Sequence, residues 1–245
     1  MQKFFVKREQ IDDKNVEIIG TDVNHIINVL RMKKDDELQV CDVACGKNYL
    51  VKIVNFDTEK VQCEIVEKID FTTETSIDID IYEGLPKADK MELIIQKTTE
   101  IGVKKIIPVA MERSVVKLTD KDAIKKQERW QKIAEVAAKQ SKRDIIPKVE
   151  NVIKMSKIYE MINKYDVFIV AYENEKEITL KQILKQNIDA KKIGVLVGPE
   201  GGIDDKEIEN LKQAGAKIVT LGNRILRTET APIVLASNII YELEN

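Results

Sequence analysis

The chain has 245 residues, enough for a small and a medium domain, and its 43% apolar content supplies a real hydrophobic core. Its 40 Lys and Arg stand against 42 Asp and Glu, so no global positive charge announces a nucleic-acid partner. No run of about eighteen apolar residues exists to span a bilayer, Met1–Val6 leads straight into charged residues, and three cysteines without a Cys-x-x-Cys pair support neither a disulfide framework nor zinc, so the expectation is a soluble cytoplasmic protein with no membrane segment and no metal.

In chain order, residues 1–70 read as short strands around one helix. Asp22–Met32 sets Val23, Ile26, Ile27 and Leu30 at helical spacing, with Asp22 as the N-cap. Glu37–Val43, Tyr49–Val54 and Lys60–Val66 then alternate apolar and polar residues. They are broken by the turn-forming stretches Cys45–Asn48 and Asn55–Thr58, which predicts a small antiparallel barrel. Phe71–Ser76 is polar and lacks helical periodicity, so the domain boundary is expected there.

From Ile77 onward strands alternate with helices, the pattern of a parallel sheet with crossover helices, and a second domain over 77–245 follows. Strands are expected at Ile77–Tyr82, Lys105–Val109, Val167–Tyr172, Ile193–Val197 and Lys217–Leu221. Helices are expected at Asp89–Ile101, ended by Gly102, at Lys121–Gln140, near Thr179–Gln186, after Asp204, and from Thr230 to Leu243. Asp204 with Glu207 three residues on has capping-box spacing. In the long helix Trp130, Ile133, Ala134, Ala137 and Ala138 share one face, while Lys125, Arg129 and Lys132 share the other. Between Arg113 and Lys148 eleven Lys or Arg face five acids, a directed basic segment inside a neutral chain. A solvated helix face explains the same charges equally well.

Six of the ten glycines lie between Gly194 and Gly222, where strands end. Glycine serves where the backbone takes φ > 0 or approaches something closely, and ligands of α/β sheets bind beyond the carboxyl ends of the strands. The loop is neither Gly-x-Gly-x-x-Gly nor a P-loop, which removes the two common phosphate cradles. It suits a flat heteroaromatic ligand held by main-chain groups.

Four stretches carry a family resemblance: Leu196-Val-Gly-Pro-Glu-Gly-Gly-Ile-Asp204; Leu221-Gly-Asn-Arg-Ile-Leu-Arg-Thr-Glu-Thr-Ala-Pro232; Met91-Glu-Leu-Ile-Ile-Gln-Lys-Thr-Thr-Glu-Ile-Gly102; and Arg129-Trp-Gln-Lys-Ile-Ala-Glu-Val-Ala-Ala-Lys-Gln-Ser141. Together with Lys3–Val6 and His25–Arg31 they closely resemble the RsmE-type ribosomal RNA methyltransferases of the SPOUT superfamily. The resemblance implies an α/β fold: a SPOUT-type parallel sheet with a C-terminal trefoil knot, preceded by a small PUA-like β-barrel domain that binds RNA. It also implies methylation of N3 of a uridine in 16S ribosomal RNA of the small ribosomal subunit, with S-adenosyl-L-methionine as cofactor, by a homodimer packed through the knot. The cofactor would lie among Tyr172 and Glu173, Val197 and Gly198, Glu200, Gly201 and Gly202, and Leu221, Gly222, Ile225, Leu226, Arg227 and Thr228. Ser141-Lys142 stands where relatives often carry Cys-Gly, and Ala88 where a glycine is common.

The implied reaction needs alignment of donor and acceptor, and loss of the N3 proton through a base or an anion stabiliser. Arg227 and Glu200 are the catalytic candidates, with Glu229 as a second carboxylate and Arg224 as a second cation. N3 points into a Watson-Crick pair, so the base must be unpaired or flipped. Arg31, Lys87, Lys90, Arg113, Lys139 and Arg143 are the candidate phosphate contacts. Rival readings are a non-catalytic RNA-binding protein, separable by S-adenosylmethionine binding, and a nucleotide-dependent oxidoreductase, which the missing fingerprint disfavours.

Overall fold

A computed structural model describes residues 1–244, and the chain divides into two units, 1–74 with 138–146 and 75–137 with the residues from 147 onward. In the first unit, β1 (Lys3–Val6), β2 (Asn15–Ile19), β3 (Glu37–Asp42), β4 (Asn48–Phe56) and β5 (Lys60–Ile69) form one sheet in the order β1-β3-β4-β5-β2. The pairs β3–β4, β4–β5 and β2–β5 are antiparallel, but β1 runs parallel to β3, which corrects the all-antiparallel expectation. Register shifts at Leu50/Val51 and Ile53/Asn55 curl the long β4–β5 ribbon, since each bulge adds local twist. Phe4, Val16, Ile18, Ile26, Leu38, Val51 and Val61 fill its inner face.

Helix α1 (Thr21–Asn24) widens into a π turn over His25–Val29, where the Leu30 N–H reaches the His25 carbonyl. Its N-cap is Gly20 at φ 76°, not Asp22; glycine takes that φ freely and lets the cap fall two residues earlier.

Residues 138–146 group with this unit, although a division at 70/77 assigns them to the second domain. Buried Asp144 explains the grouping. It pairs with Lys3 and accepts from Asn48 Nδ2 at 2.7 Å, Thr72 Oγ1 at 2.7 Å and the Thr73 N–H at 2.8 Å. Burial pushes its carboxyl up, but Lys3 and these donors outweigh burial and leave it below the usual range. None of those partners is near it in sequence, so periodicity could not reveal the arrangement.

The second unit holds β6 (Asp78–Gly84), α2 (Lys90–Ile101), β7 (Lys105–Ala110), α3 (Asp120–Gln140) as far as Ala137, β8 (Lys148–Val149), β9 (Ile153–Lys154), α4 (Met155–Tyr159), β10 (Val167–Ala171), α5 (Leu180–Gln186), β11 (Lys192–Val197), α6 (Asp205–Gln213), β12 (Lys217–Val219) and α7 (Ala231–Leu243). The strands are all parallel, in the order β12-β10-β11-β6-β7-β8, with β9 also on β7. Strands β6, β10 and β11 are buried almost throughout, as parallel strands covered on both faces must be. After β6 the chain moves outward to β7, and after β11 it moves the other way to β12. A crevice opens at such a reversal.

Local signals set the helix ends. Gly102, at φ 123°, closes α2, and Asp204 with Glu207 forms the expected capping box at α6. In α3 Trp130, Ala134, Ala137 and Ala138 are buried while Lys125, Arg129 and Lys132 are exposed. The sequence did not anticipate β8, β9 and α4, which are too short for a period to register. Gly194 sits inside β11 because a Cβ there would meet Phe168 at 2.3 Å.

Candidate functional site

At the carboxyl ends of β10, β11 and β12, three loops surround a pocket of ≈ 440 Å³. The first loop contributes Tyr172 and Glu173, the second Val197, Gly198, Glu200 and Gly202, and the third Leu221, Gly222, Ile225, Leu226, Arg227 and Thr228. Gly201 alone of the expected cofactor residues is not in the lining; its missing side chain lets the loop approach the Arg113 carbonyl, which a Cβ would meet at 3.0 Å.

Two glycines are sterically required. A Cβ on Gly198 would lie 2.7 Å from Ile203, and one on Gly202, at φ +71°, would lie 2.3 Å from Glu173 Oε1. Gly222, at φ +107°, has open space where a Cβ would stand, and its N–H donates to the Thr220 hydroxyl at 3.2 Å. Ile225 is 82% exposed, an apolar side chain at the pocket with nothing over it. Tyr172 is held by its hydroxyl, which donates to Asp205 Oδ1 at 2.8 Å.

The charged groups form a clamp. Lys90 Nζ lies 3.0 Å from Glu200 Oε1 and 3.2 Å from Glu229 Oε2, and the Lys87 N–H donates to Glu200 at 3.0 Å. Burial pushes the Glu200 carboxyl up, but Lys90 and backbone N–H donors outweigh it and hold the group below its usual range. Glu229 is lowered in the same way by its own N–H and Lys90, and the two glutamates raise Lys90. Arg227 projects outward with its side chain 80% exposed, 4.0 Å from Glu229 Oε1.

Sequence reasoning missed Glu83, the penultimate residue of β6 and fully buried. The Thr228 hydroxyl lies 2.9 Å from Glu83 Oε1 and 2.8 Å from the Gly198 carbonyl oxygen. Burial pushes the Glu83 carboxyl well above the usual range, the charges of Glu200 and Glu229 push the same way, and Thr228 opposes them. Lys90 was expected to contact RNA but lines the pocket, as do Lys176, Thr220, Asn223 and Arg224. The polar residues flanking Gly222 are the only signal that could have pointed to Thr220 and Asn223.

The other expected RNA contacts are dispersed. Arg31 and Lys87 are exposed, Arg113 pairs with Asp204 at 3.3 Å, and Lys139 pairs with Asp22 at 3.0 Å. Arg143 is 4% exposed and its guanidinium pairs with Glu74, whose Oε1 also accepts the Asp144 N–H at 2.8 Å. Arg143 is thus buried against a carboxylate and presents no exposed cation of the kind that Arg31 and Lys87 present.

The description RNA methyltransferase domain matches residues 73–240, and RNA methyltransferase PUA domain matches residues 18–66. Ribosomal RNA small subunit methyltransferase E of Bacillus subtilis is 38% identical over 100% of this chain and 98% of its own. The protein of the same description from Mesomycoplasma hyopneumoniae is 33% identical, covering 99% of this chain and 100% of its own. A crystal structure of ribosomal RNA small subunit methyltransferase E from Neisseria gonorrhoeae bound to S-adenosyl methionine superimposes with a TM-score of 0.87, at 29% identity over 98% of this chain and 96% of that one.

Proposed function

Because the chain belongs to the RNA methyltransferase family, alongside proteins described as ribosomal RNA small subunit methyltransferase E, we propose that it transfers a methyl group from S-adenosylmethionine to N3 of a uridine in 16S ribosomal RNA. One observation carries the reading: three neighbouring strand ends send their loops around one pocket, with Gly198 and Gly202 admitting no Cβ. Its volume of ≈ 440 Å³ falls in the range of small-molecule cofactor sites. The mixed lining suits a cofactor with both an apolar ring and charged ends, since Leu221, Ile225 and Leu226 offer apolar surface and Glu173 and Glu200 offer carboxylates.

When bound, S-adenosylmethionine supplies an electrophilic methyl group, and the chain supplies alignment. The peptide groups of the Gly198–Gly202 and Leu221–Thr228 loops hold the donor in place. Positioning of this kind contributes roughly 7 to 11 kcal/mol to such a displacement. Glu200, kept ionised by Lys90, is a weak proton acceptor at neutral pH, so its task in this proposal is to fix the loop. Arg227, exposed at the rim, is the group that stabilises the uracil anion as its N3 proton passes to solvent. The domain over 1–70 would hold RNA through Arg31 and its neighbours, and the domain over 77–245 would carry the reaction. A homodimer formed through the exposed face of α7, including Tyr241 at 75% exposure, completes the proposal.

Titration calorimetry of the purified protein with S-adenosylmethionine and with its demethylated product tests the cofactor. Saturable heat with both is expected, and folded protein that binds neither refutes the reading in favour of a non-catalytic RNA-binding protein. Mass mapping of 16S ribosomal RNA from a strain lacking the protein tests the target. Loss of one uridine methyl mark is expected; retention of every such mark refutes it.

A further inference from the structure

The hydrogen bonds around Thr228 fix the protonation that Glu83 must carry. The Thr228 hydroxyl owns one hydrogen and sits within hydrogen-bond distance of two oxygens, Glu83 Oε1 at 2.9 Å and the Gly198 carbonyl at 2.8 Å. A carbonyl can only accept. If Thr228 donates to Gly198, the contact with Glu83 needs a second proton, and Glu83 is the only group of the three that can bring one. If Thr228 donates to an ionised Glu83 instead, the Gly198 carbonyl faces a hydroxyl oxygen at 2.8 Å with no proton between them. The other carboxyl oxygen, Oε2, is buried without a hydrogen-bond partner, a position tolerable for the carbonyl of a neutral acid and costly for half of a carboxylate.

We propose that Glu83 is a positioning residue that stands as a neutral carboxylic acid and donates to Thr228, which donates in turn to Gly198, locking the third loop of the methyl-donor pocket onto the second. The inference rests on the function proposed above. Thr228 and Gly198 both line the pocket, whereas Glu83 lies beneath it. The next residue, Gly84, brings the end of β6 against Pro199, where a Cβ would meet the ring at 2.4 Å, so the strand end and the loop have no slack. The charged groups around this acid are Glu200 and Glu229 from the two loops, and Lys90 from α2, which pairs with both. Ionising Glu83 would add a third carboxylate to a site whose cations, Lys90 and the exposed Arg227, already face Glu200 and Glu229.

Three variants test the assignment: Glu83→Gln keeps a donor of the same shape and cannot ionise, while Glu83→Leu and Thr228→Val break the relay. Calorimetry with S-adenosylhomocysteine at neutral pH should give Glu83→Gln an affinity within about twofold of the native chain, and Glu83→Leu and Thr228→Val a loss of about tenfold. Raising the pH should weaken binding by the native chain but not by Glu83→Gln. Glu83→Gln as weak as Glu83→Leu would overturn the proposal, as would native and Gln profiles that coincide at every pH. A readout without ligand is the infrared band of a protonated carboxyl at neutral pH, expected in the native chain and absent from Glu83→Gln; its absence from the native chain would also sink the assignment. Should the folded native chain bind no methyl donor while that band is present, the proposed function fails and the state of Glu83 stands.

Discussion

Replacing Arg143 by alanine separates a structural cation from an RNA-binding one. In the structure the guanidinium reaches both carboxylate oxygens of Glu74, with side chains 5% and 14% exposed. Removing one partner of such a pair leaves the other buried and costs about 3 to 5 kcal/mol. Glu74 keeps the N–H donors of Asp144 and Ile145 at 2.8 and 3.1 Å, which places the loss near the lower bound, about 3 kcal/mol. Thermal unfolding should report this as a fall of roughly 6 to 12 °C in Tm. Glu74→Met with Arg143→Met should recover part of it, because the pair is then removed together. Binding of a 16S ribosomal RNA fragment, measured against salt well below the variant's midpoint, should keep the native slope. A slope reduced by about 0.7 to 0.9 with Tm unchanged would mean that Arg143 neutralises a phosphate, and the structural assignment would be wrong.

Lys90→Met should weaken S-adenosylhomocysteine binding by calorimetry, since Glu200 and Glu229 would then repel across the pocket. Both glutamates are held below the ordinary 4.5, so the stability they lend is present above that pH and is lost as pH falls through their lowered values; acid melts of the native chain should show this loss and Lys90→Met should show less of it. Lys142→Gly, at φ 59°, and Ala88→Gly, at φ 53°, should each raise stability by about 0.5 to 1 kcal/mol in urea unfolding, because relief of left-handed strain exceeds the entropy that glycine adds to the unfolded chain; a loss at either position would refute the strain. Arg227→Ala should lower kcat by about a hundredfold with little change in KM for the methyl donor, and equal losses in both would reassign it to cofactor binding.

The pocket was legible because its determinants are local. Glycines at strand ends announce positive φ and close approach, and both are found at Gly202. Helix ends were legible for the same reason, with Gly102, Thr179 and Asp204 each acting on neighbours in sequence. Glu83 and Lys90 left no such trace. Glu83 meets Thr228 across 145 positions, and the loop beside Lys90 reaches Glu200 across 113. Read in sequence, Glu83 follows a strand as an ordinary polar terminus. What makes it unusual is the burial imposed by loops from the far end of the chain. The parallel β1–β3 pairing was hidden likewise, since alternation specifies which face is buried and leaves strand direction open.

Charge counting misled in a way that follows from the same cause. Between Arg113 and Lys148 the sequence shows eleven cations and five acids, but a window in sequence is not a region in space. Five of those cations draw partners from outside it: Arg113 takes Asp204, Arg129 takes Glu92, Lys139 takes Asp22, Arg143 takes Glu74 and Lys148 takes Glu150. With those acids included the balance is eleven against ten, and the large local excess nearly vanishes. Lys126 lies over the Trp130 ring at 5.7 Å, a position set by packing. Exposed Lys117, Lys121, Lys125, Lys132 and Lys142 are what the segment still offers an anionic partner. The electrostatic part of RNA affinity should therefore rest on fewer neutralised phosphates than the count suggests, and recognition of the target should depend more on how one unpaired base fits beside the pocket.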